Sequence, residues 1–239
     1  MTNLSGPERA RYVQRMFGRI ARRYDLMNRL MTAGQDVIWR REVIRRAKMP
    51  PDGRLLDLGA GTGDLAREAL VQNPACHPVA ADFTMEMMQV GRSHPTTFQV
   101  DWAAADALSL PFPAGKFDAS VSGFLLRNVS DVHQVLREQY RILKPGGRMV
   151  ALDTTLPPQN VLSPFIHFHL HFVIPTLGQW ITGDGSAYTY LPESTENFLG
   201  AEQLAARMIT AGFREVGFRR LMFGTIAIHW GSRPFNEPA

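Results

Sequence analysis

The run Leu55-Leu56-Asp57-Leu58-Gly59-Ala60-Gly61-Thr62-Gly63-Asp64 constrains this chain more than any other segment. Its first four residues read as a buried strand, and the glycines then turn the chain toward a helix. Glycine at 59, 61 and 63 removes each Cβ where a ligand would touch backbone. Asp82 follows 19 positions after Gly63, at the end of Pro78-Val79-Ala80-Ala81. That separation suits a carboxylate gripping a ribose diol from the next strand of a doubly wound sheet. A glycine-rich turn that holds no ligand is the competing reading.

The spacing is G-x-G-x-G, not the dinucleotide G-x-G-x-x-G. Asp57 and Asp64 would repel a pyrophosphate but suit a cation. S-adenosylmethionine is such a ligand: an adenosine with a sulfonium and an ammonium, and no phosphate. Asp57, Gly59, Gly61, Gly63, Asp82 and the adjoining Phe83 are therefore expected to face it, with Gly123 at the end of a later strand. Asp106, after the third strand, is placed to accept the adenine amino group, and the Ala107 backbone N–H to reach the ring. A loop-capping role is the alternative for Asp106. Asp118 falls at the far end of its strand and reads as structural.

Short apolar strands alternate with helical segments from about 54 to 153. Strands are expected at 54–58, 77–82, 98–102, 117–123 and 147–153, and helices at 63–72, 84–92 and 132–143. Lys144-Pro145-Gly146-Gly147 should stop the last helix and turn the chain. This order implies βαβ units and a mostly parallel, Rossmann-like α/β sheet. Residues 201–211 read as an amphipathic helix. Phe213–Phe218 and Leu221–Trp230 read as a final antiparallel hairpin turning at Arg219-Arg220.

Charge is unevenly spread. Residues 1–50 carry a net charge of +8 and the remainder −4. Val13, Met16, Phe17, Ile20, Tyr24 and Met27 fall on one face of a helix, with Arg11, Arg15, Arg19 and Arg22 mostly on the other. Such a basic amphipathic helix suits an anionic membrane surface or a cap on the domain, while a solvated arginine face is the plainer alternative. Nucleic acid is disfavoured, because no reading motif or aromatic platform accompanies the charge. We divide the chain into a basic helical cap at 1–50 and a domain at 51–239, with an insertion at about 154–197.

Residues 154–183 contain no Asp, Glu, Lys or Arg. Four prolines argue against a membrane span, so an apolar, partly helical insertion facing a hydrophobic pocket or lipid is expected. His167, His169 and His171 share a face only in a strand and lack a completing ligand, so no metal is expected. The one cysteine, Cys76, excludes an internal disulfide, and no secretory signal opens the chain. A cytoplasmic protein, peripheral on the inner face of the cell membrane and compatible with a homodimer, is the expectation.

Gly123-Phe124-Leu125-Leu126-Arg127-Asn128-Val129 follows the fourth strand. It places Arg127 and Asn128 at the crevice rim, where a cation beside an acceptor hydroxyl would stabilise its anion. Arg127 could instead bind a neighbouring carboxylate.

These residues, with Tyr24-Asp25-Leu26-Met27-Asn28, Trp39-Arg40-Arg41, Arg127-Asn128-Val129-Ser130-Asp131, Tyr190-Leu191-Pro192-Glu193-Ser194 and Ala227-Ile228-His229-Trp230-Gly231, resemble the UbiE/MenG family of quinone-biosynthesis C-methyltransferases over about 10–234. The resemblance implies a class I methyltransferase fold, S-adenosylmethionine as donor with S-adenosylhomocysteine as product, and a polyprenylated quinol, most simply demethylmenaquinol, as acceptor. It implies cofactor contacts from Thr62, Asp82, Asp106 and Ala107. Arg127 would stabilise the quinol anion, Asn128 and Tyr24 would position its oxygens, and Asp25 or a water held by Arg127 would serve as base. The chain departs from the family at Asp36, Val37, Gly123, Leu125 and Leu199, and these positions are expected near the acceptor mouth. Another phenolic or lipid acceptor, or a non-catalytic cofactor-binding scaffold, is the alternative.

Overall fold

The computed structural model describes residues 6–156 and 194–235, together with Phe172, Thr176 and Tyr190. Seven strands form one sheet: β1 (Arg54–Leu58), β2 (His77–Asp82), β3 (Asp101–Ala104), β4 (Phe117–Gly123), β5 (Leu143–Thr154), β6 (Arg214–Leu221) and β7 (Ile226–Ser232). Their order is β3-β2-β1-β4-β5-β7-β6, with β7 antiparallel to both neighbours. The chain reverses direction across the sheet between β1 and β4, which opens a ligand crevice at their carboxyl ends.

Both faces of the sheet are covered, which explains why β1 reads as an almost unbroken apolar run. Leu55 points to one face, with Trp39, Val43 and Ile44 of α3 (Gln35–Ala47) and Leu65 and Ala69 of α4 (Asp64–Gln72). Leu56 and Leu58 point to the other, with Val135, Leu136 and Ile142 of α6 (Val132–Ile142) and Leu204 and Met208 of α7 (Ala201–Thr210). The helix α5 (Met85–Arg92) packs beside β2 and β3. About a quarter of the basic N-terminal segment therefore belongs to the core: the 13 residues of α3 form a sheet-covering layer.

The preceding residues form α1 (Gly6–Ile20), a 3-10 turn (Ala21–Arg23) and α2 (Tyr24–Met31). The expected apolar face is present, with Met16, Ile20 and Met27 buried together and Phe17 edge-on to Tyr24 at 5.7 Å. One continuous helix was expected, but ψ near zero at Ile20 and Arg23 breaks it at the turn.

Three boundaries differ from the sequence reading. The third strand begins at Asp101, because Pro95–Thr97 form a 3-10 turn pinned by the Thr97 hydroxyl to the Gly91 and His94 carbonyls. The final hairpin does not turn at Arg219-Arg220. Those residues continue β6 opposite Ile228 and Ala227, and Arg220 is held by both oxygens of Glu202 on α7. The chain turns instead at Met222–Gly224, where all three φ angles are positive. The Lys-Pro-Gly-Gly segment ends α6 as expected but lies within β5, as a bulge between the Phe117–Leu143 and Ala119–Arg148 pairs. Asp118 is structural: it accepts from Lys144 at 2.8 Å and from the Arg54 amide at 2.9 Å.

The uncharged insertion and the three histidines lie outside the described residues, apart from Thr154–Leu156 and single positions. Among the described residues, no helix is long and apolar enough to cross a membrane. Nor do three His, Cys, Asp or Glu gather there to hold a metal ion.

Candidate active site

The loop after β1 is built from backbone amides. Gly59 and Ala60 N–H both donate to the Ala81 carbonyl, tying the loop to β2. Gly61 N–H donates to Asp82 Oδ2 at 2.7 Å. The φ angles of Gly59, Gly61 and Gly63 are 68°, 57° and 82°, conformations that L side chains rarely adopt. A Cβ at Gly59 would also stand 2.8 Å from Leu125 Cδ1, and one at Gly63 2.8 Å from the Trp102 ring. The loop is thus pressed from both sides, and glycine alone fits.

Above it lies a cavity of about 140 Å³. Gly59, Gly61, Asp82, Phe83, Asp106, Ala107, Gly123 and Asn128 line it from the sheet side, and Tyr24 from α2. Ala10, Val13, Gln14 and Phe17 of α1 form the opposite wall. A second cavity of about 40 Å³ is lined by Tyr24, Asp57, Gly61, Thr62, Gly123 and Phe124, among others. Tyr24 therefore fronts both. Gly63 backs the loop and faces Trp102, not the cavity. Asp25 and Arg127 line neither cavity.

The carboxylates differ in state. Asp57 is buried; Oδ2 accepts the Ala66 amide at 3.0 Å and Oδ1 has no partner. Burial pushes its carboxyl up to about 7, against the Ala66 amide. Burial also raises Asp82, opposed by the Thr84 and Gly61 amides. A carboxylate offers about four acceptor positions, so Asp82 retains capacity for a diol beyond these two bonds. Asp106 is exposed and accepts the Leu108 amide at 2.9 Å, so it does cap its loop while lining the cavity. Asp64 is not a free anion, because Arg40 and Arg67 both pair with it.

Arg127 is buried against Asp153, its guanidinium 3.1 Å from Oδ1, and stacks over the Phe124 ring. Its Nε has no partner. Asn128 donates from Nδ2 to the Phe124 carbonyl at 2.8 Å, which leaves Oδ1 without a partner. Phe124 itself holds φ of 58°, a strained setting for a bulky residue at the end of β4. Desolvation raises the Tyr24 phenol, while the Asn28 side chain and the charges of Arg127 and Arg40 oppose the rise. Asp25 Oδ1 accepts the Thr62 hydroxyl at 2.7 Å.

The N-terminal helices are tied down by this bond and two others. Gln14 donates to the Phe83 carbonyl at 2.9 Å, and Arg9 to the Arg127 carbonyl at 2.8 Å. Sequence reasoning missed Gln14, Gly91, Trp102 and Asp153. A glycine inside a helical run, and the last charge before a long uncharged stretch, were the available signals. Of the family departures, Leu125 and Gly123 line the main cavity. Asp36 does not: it is fully buried and paired with Arg40 at 2.7 Å. Leu199 packs on the core far along the chain, its carbonyl bonded by Thr155.

Left-handed glycines, a buried unpartnered carboxylate oxygen and a strand-end carboxylate fit a ligand that pairs a cation with a ribose. Fold and site together define a class I S-adenosylmethionine-dependent methyltransferase. More narrowly, the chain belongs to the ubiE/COQ5 methyltransferase family, whose profile matches residues 5–233. It is 46% identical to the ubiquinone/menaquinone biosynthesis C-methyltransferase UbiE of Desulfotalea psychrophila, over 92% of this chain and 89% of that one. It is 43% identical to the demethylmenaquinone methyltransferase of Thermus thermophilus, over 92% of this chain and all of that one. Among solved structures the cyclase SpnF superposes with a TM-score of 0.68 at 18% identity, over 94% of this chain and 96% of its own. Haemonchus contortus phosphoethanolamine N-methyltransferase 2, in complex with S-adenosylmethionine, gives 0.62 at 15%, over 82% and 52%. At such identities the likeness establishes the fold alone.

Proposed function

We propose that the chain methylates a ring carbon of a polyprenylated quinol, converting demethylmenaquinol to menaquinol. The observation that carries this reading is the shared cavity: the glycine loop and Asp82 form one side, and the apolar α1 wall of Val13 and Phe17 the other. A flat, lipid-like acceptor suits that second wall. The demethylmenaquinone methyltransferase names of relatives at 43% and 40% identity support the head group.

The Gly59–Gly63 loop, Asp82, Phe83, Asp106 and Ala107 would hold S-adenosylmethionine, with Asp57 near its cationic end. Bound there, the cofactor supplies a methyl group on an electrophilic sulfonium. The rest is the work of the chain. Asn128 has Nδ2 fixed on a carbonyl, so Oδ1 is the atom left to accept a quinol hydroxyl and orient the ring. Tyr24, kept protonated by its raised pKa, donates to the second oxygen. Arg127 supplies a fixed positive charge behind Phe124 that favours the quinol anion. The hydroxyl proton leaves through the Thr62 hydroxyl, which already donates to Asp25 at 2.7 Å. Once the new carbon–carbon bond has formed, the ring proton is lost and the oxygen is reprotonated, so one proton is released per methyl group transferred. Leu125 and Phe17 exclude water from the reacting carbon.

A polyprenyl acceptor dissolves in the bilayer, so peripheral contact with the cytoplasmic membrane face belongs to the same proposal. The test is an assay with methyl-labelled S-adenosylmethionine and demethylmenaquinone, chemically reduced and oxidised in parallel. Label on a ring carbon with the reduced form only is the expected result. Measurable cofactor binding with no label on either form would overturn the acceptor assignment.

A further inference from the structure

Sign segregation along the N-terminal helices carries a further inference. After the exposed Glu8 at the start of α1, every charged residue from 10 to 38 that is exposed as a whole is an arginine: Arg11, Arg15, Arg19, Arg22, Arg23 and Arg29. Of the two carboxylates of this span, Asp36 is buried against Arg40, and Asp25, whose side chain is 38% exposed, is bonded to the Thr62 hydroxyl. Exposed positions 11, 15 and 19 recur at helical spacing along α1, and 22, 26 and 29 along the 3-10 turn and α2, so each segment carries its own exposed basic stripe. Beside the α2 arginines sit two large apolar side chains, Leu26 at 53% exposure and Leu30 at 48%, with Ile38 of α3 at 63%.

An isolated exposed leucine is ordinary, but two on one turn of a short helix, with Arg22 four and Arg29 three residues from Leu26, form an amphipathic pattern. Arginines with no apolar residue among them would suit a nucleic acid backbone equally well. The leucines break that symmetry, since phosphate contacts gain nothing from them, whereas a bilayer accepts cations at the headgroups and leucines just beneath.

We infer that α2, with the outer stripe of α1, docks on an anionic phospholipid bilayer, and that Leu26 and Leu30 enter its interfacial layer. The inference rests on the polyprenyl-acceptor reading for its purpose, though not for its evidence. The inner face of α1 carries Ala10, Val13 and Phe17 into the cavity. One helix thus has the bilayer on its outside and the reaction cavity on its inside, and a tail need not cross water between them.

The test uses the full chain with vesicles of phosphatidylcholine, alone or mixed with phosphatidylglycerol, in co-sedimentation. Wild type is expected to bind the mixed vesicles and leave the neutral ones. Arg22→Gln with Arg29→Gln should weaken binding by about fivefold per arginine. Leu26→Ser with Leu30→Ser should also weaken it, while its salt dependence stays. Both double variants should keep wild-type turnover on a short-tailed, dispersed quinol and lose it on a long-tailed quinol in vesicles. Equal binding to both vesicle types, or unchanged binding by both variants, would overturn the inference. So would steeply salt-dependent RNA binding with no lipid preference. Failure of the acceptor reading is separately visible, as selective vesicle binding by wild type with no methyl transfer to either quinol.

Discussion

Asp153 holds Arg127 at two points: Oδ1 accepts the guanidinium at 3.1 Å and Oδ2 accepts the backbone amide at 3.3 Å, with both side chains buried. Removing one partner strands the other as a buried charge, at a cost of about 3–5 kcal/mol. Asp153→Ala should therefore lower the urea midpoint sharply. Arg127→Gln removes the positive charge itself, and is expected to lower kcat by about one to two orders of magnitude while cofactor Kd stays unchanged. If kcat were untouched in a folded Arg127→Gln enzyme, Arg127 would be a structural cation only.

Gly91 sits inside α5, where alanine ordinarily stabilises a helix by about 1 kcal/mol. Here the sign should reverse. A Cβ at Gly91 would stand 2.7 Å from the Thr62 carbonyl oxygen and against the Trp102 ring that also packs on Gly63. Gly91→Ala should destabilise by about 1–3 kcal/mol and weaken S-adenosylmethionine binding, because the push falls on the cofactor loop. Chemical denaturation and titration calorimetry on one variant check both.

The raised Asp57 carboxyl makes cofactor binding pH-dependent. Burial pushes it up to about 7 from an ordinary 3.8, so between those values the folded chain holds a proton that the unfolded chain releases. Stability from this group is present below about 4 and declines as pH rises through about 7. A cationic ligand favours the ionised form. Affinity for S-adenosylmethionine should therefore rise from pH 6 to pH 8, with net proton release at the lower pH. Asp57→Asn should flatten the profile, read by calorimetry in buffers of different ionisation heat.

His229 runs the other way. It is buried in β7 with Nε2 2.9 Å from the Ala201 carbonyl, and burial pushes it down to about 4 from 6.5. Below pH 6.5 the unfolded chain takes up a proton that the folded chain refuses. Its contribution is therefore present above 6.5 and fades as pH falls toward 4, a loss on the order of 3 kcal/mol. His229→Gln keeps a donor for Ala201 and should remove that part of the acid sensitivity. Urea midpoints at neutral pH and near pH 4.5 give the comparison.

The sheet was legible because its short, nearly continuous apolar runs and its glycine turn are local signals. Leu55 and Leu56 face opposite layers, and each layer has its own helices. The hairpin turn was misplaced because Arg219-Arg220 looks like a polar break. Bonding of Arg220 to Glu202, distant in sequence, keeps it in the strand. The cofactor side of the site was readable for a similar reason, as it comes from strand ends in order. The opposite wall was not. Nothing local in Ala10, Val13 or Gln14 indicates that α1 folds back across the crevice, and a fixed bond such as Gln14 to Phe83 spans 69 residues. Arg127 illustrates both halves: its position at the end of β4 was read from sequence, while its pairing with Asp153 on the neighbouring strand required the sheet register.

The crevice is roofed by helices that come earlier in the chain than the strands that floor it. Three of the bonds that hold the roof close loops of increasing span: Asp25 to Thr62, Gln14 to Phe83, and Arg9 to Arg127. Loop closure costs more as the span lengthens, and the later partners do not yet exist while the early helices wait. A growing chain therefore acquires the glycine loop beneath its α2 anchor first, and the last clasp only once β4 has been made. Until then the first helices lack their last tie to the sheet, so the order of synthesis leaves the reaction chamber open until most of the sheet has been made.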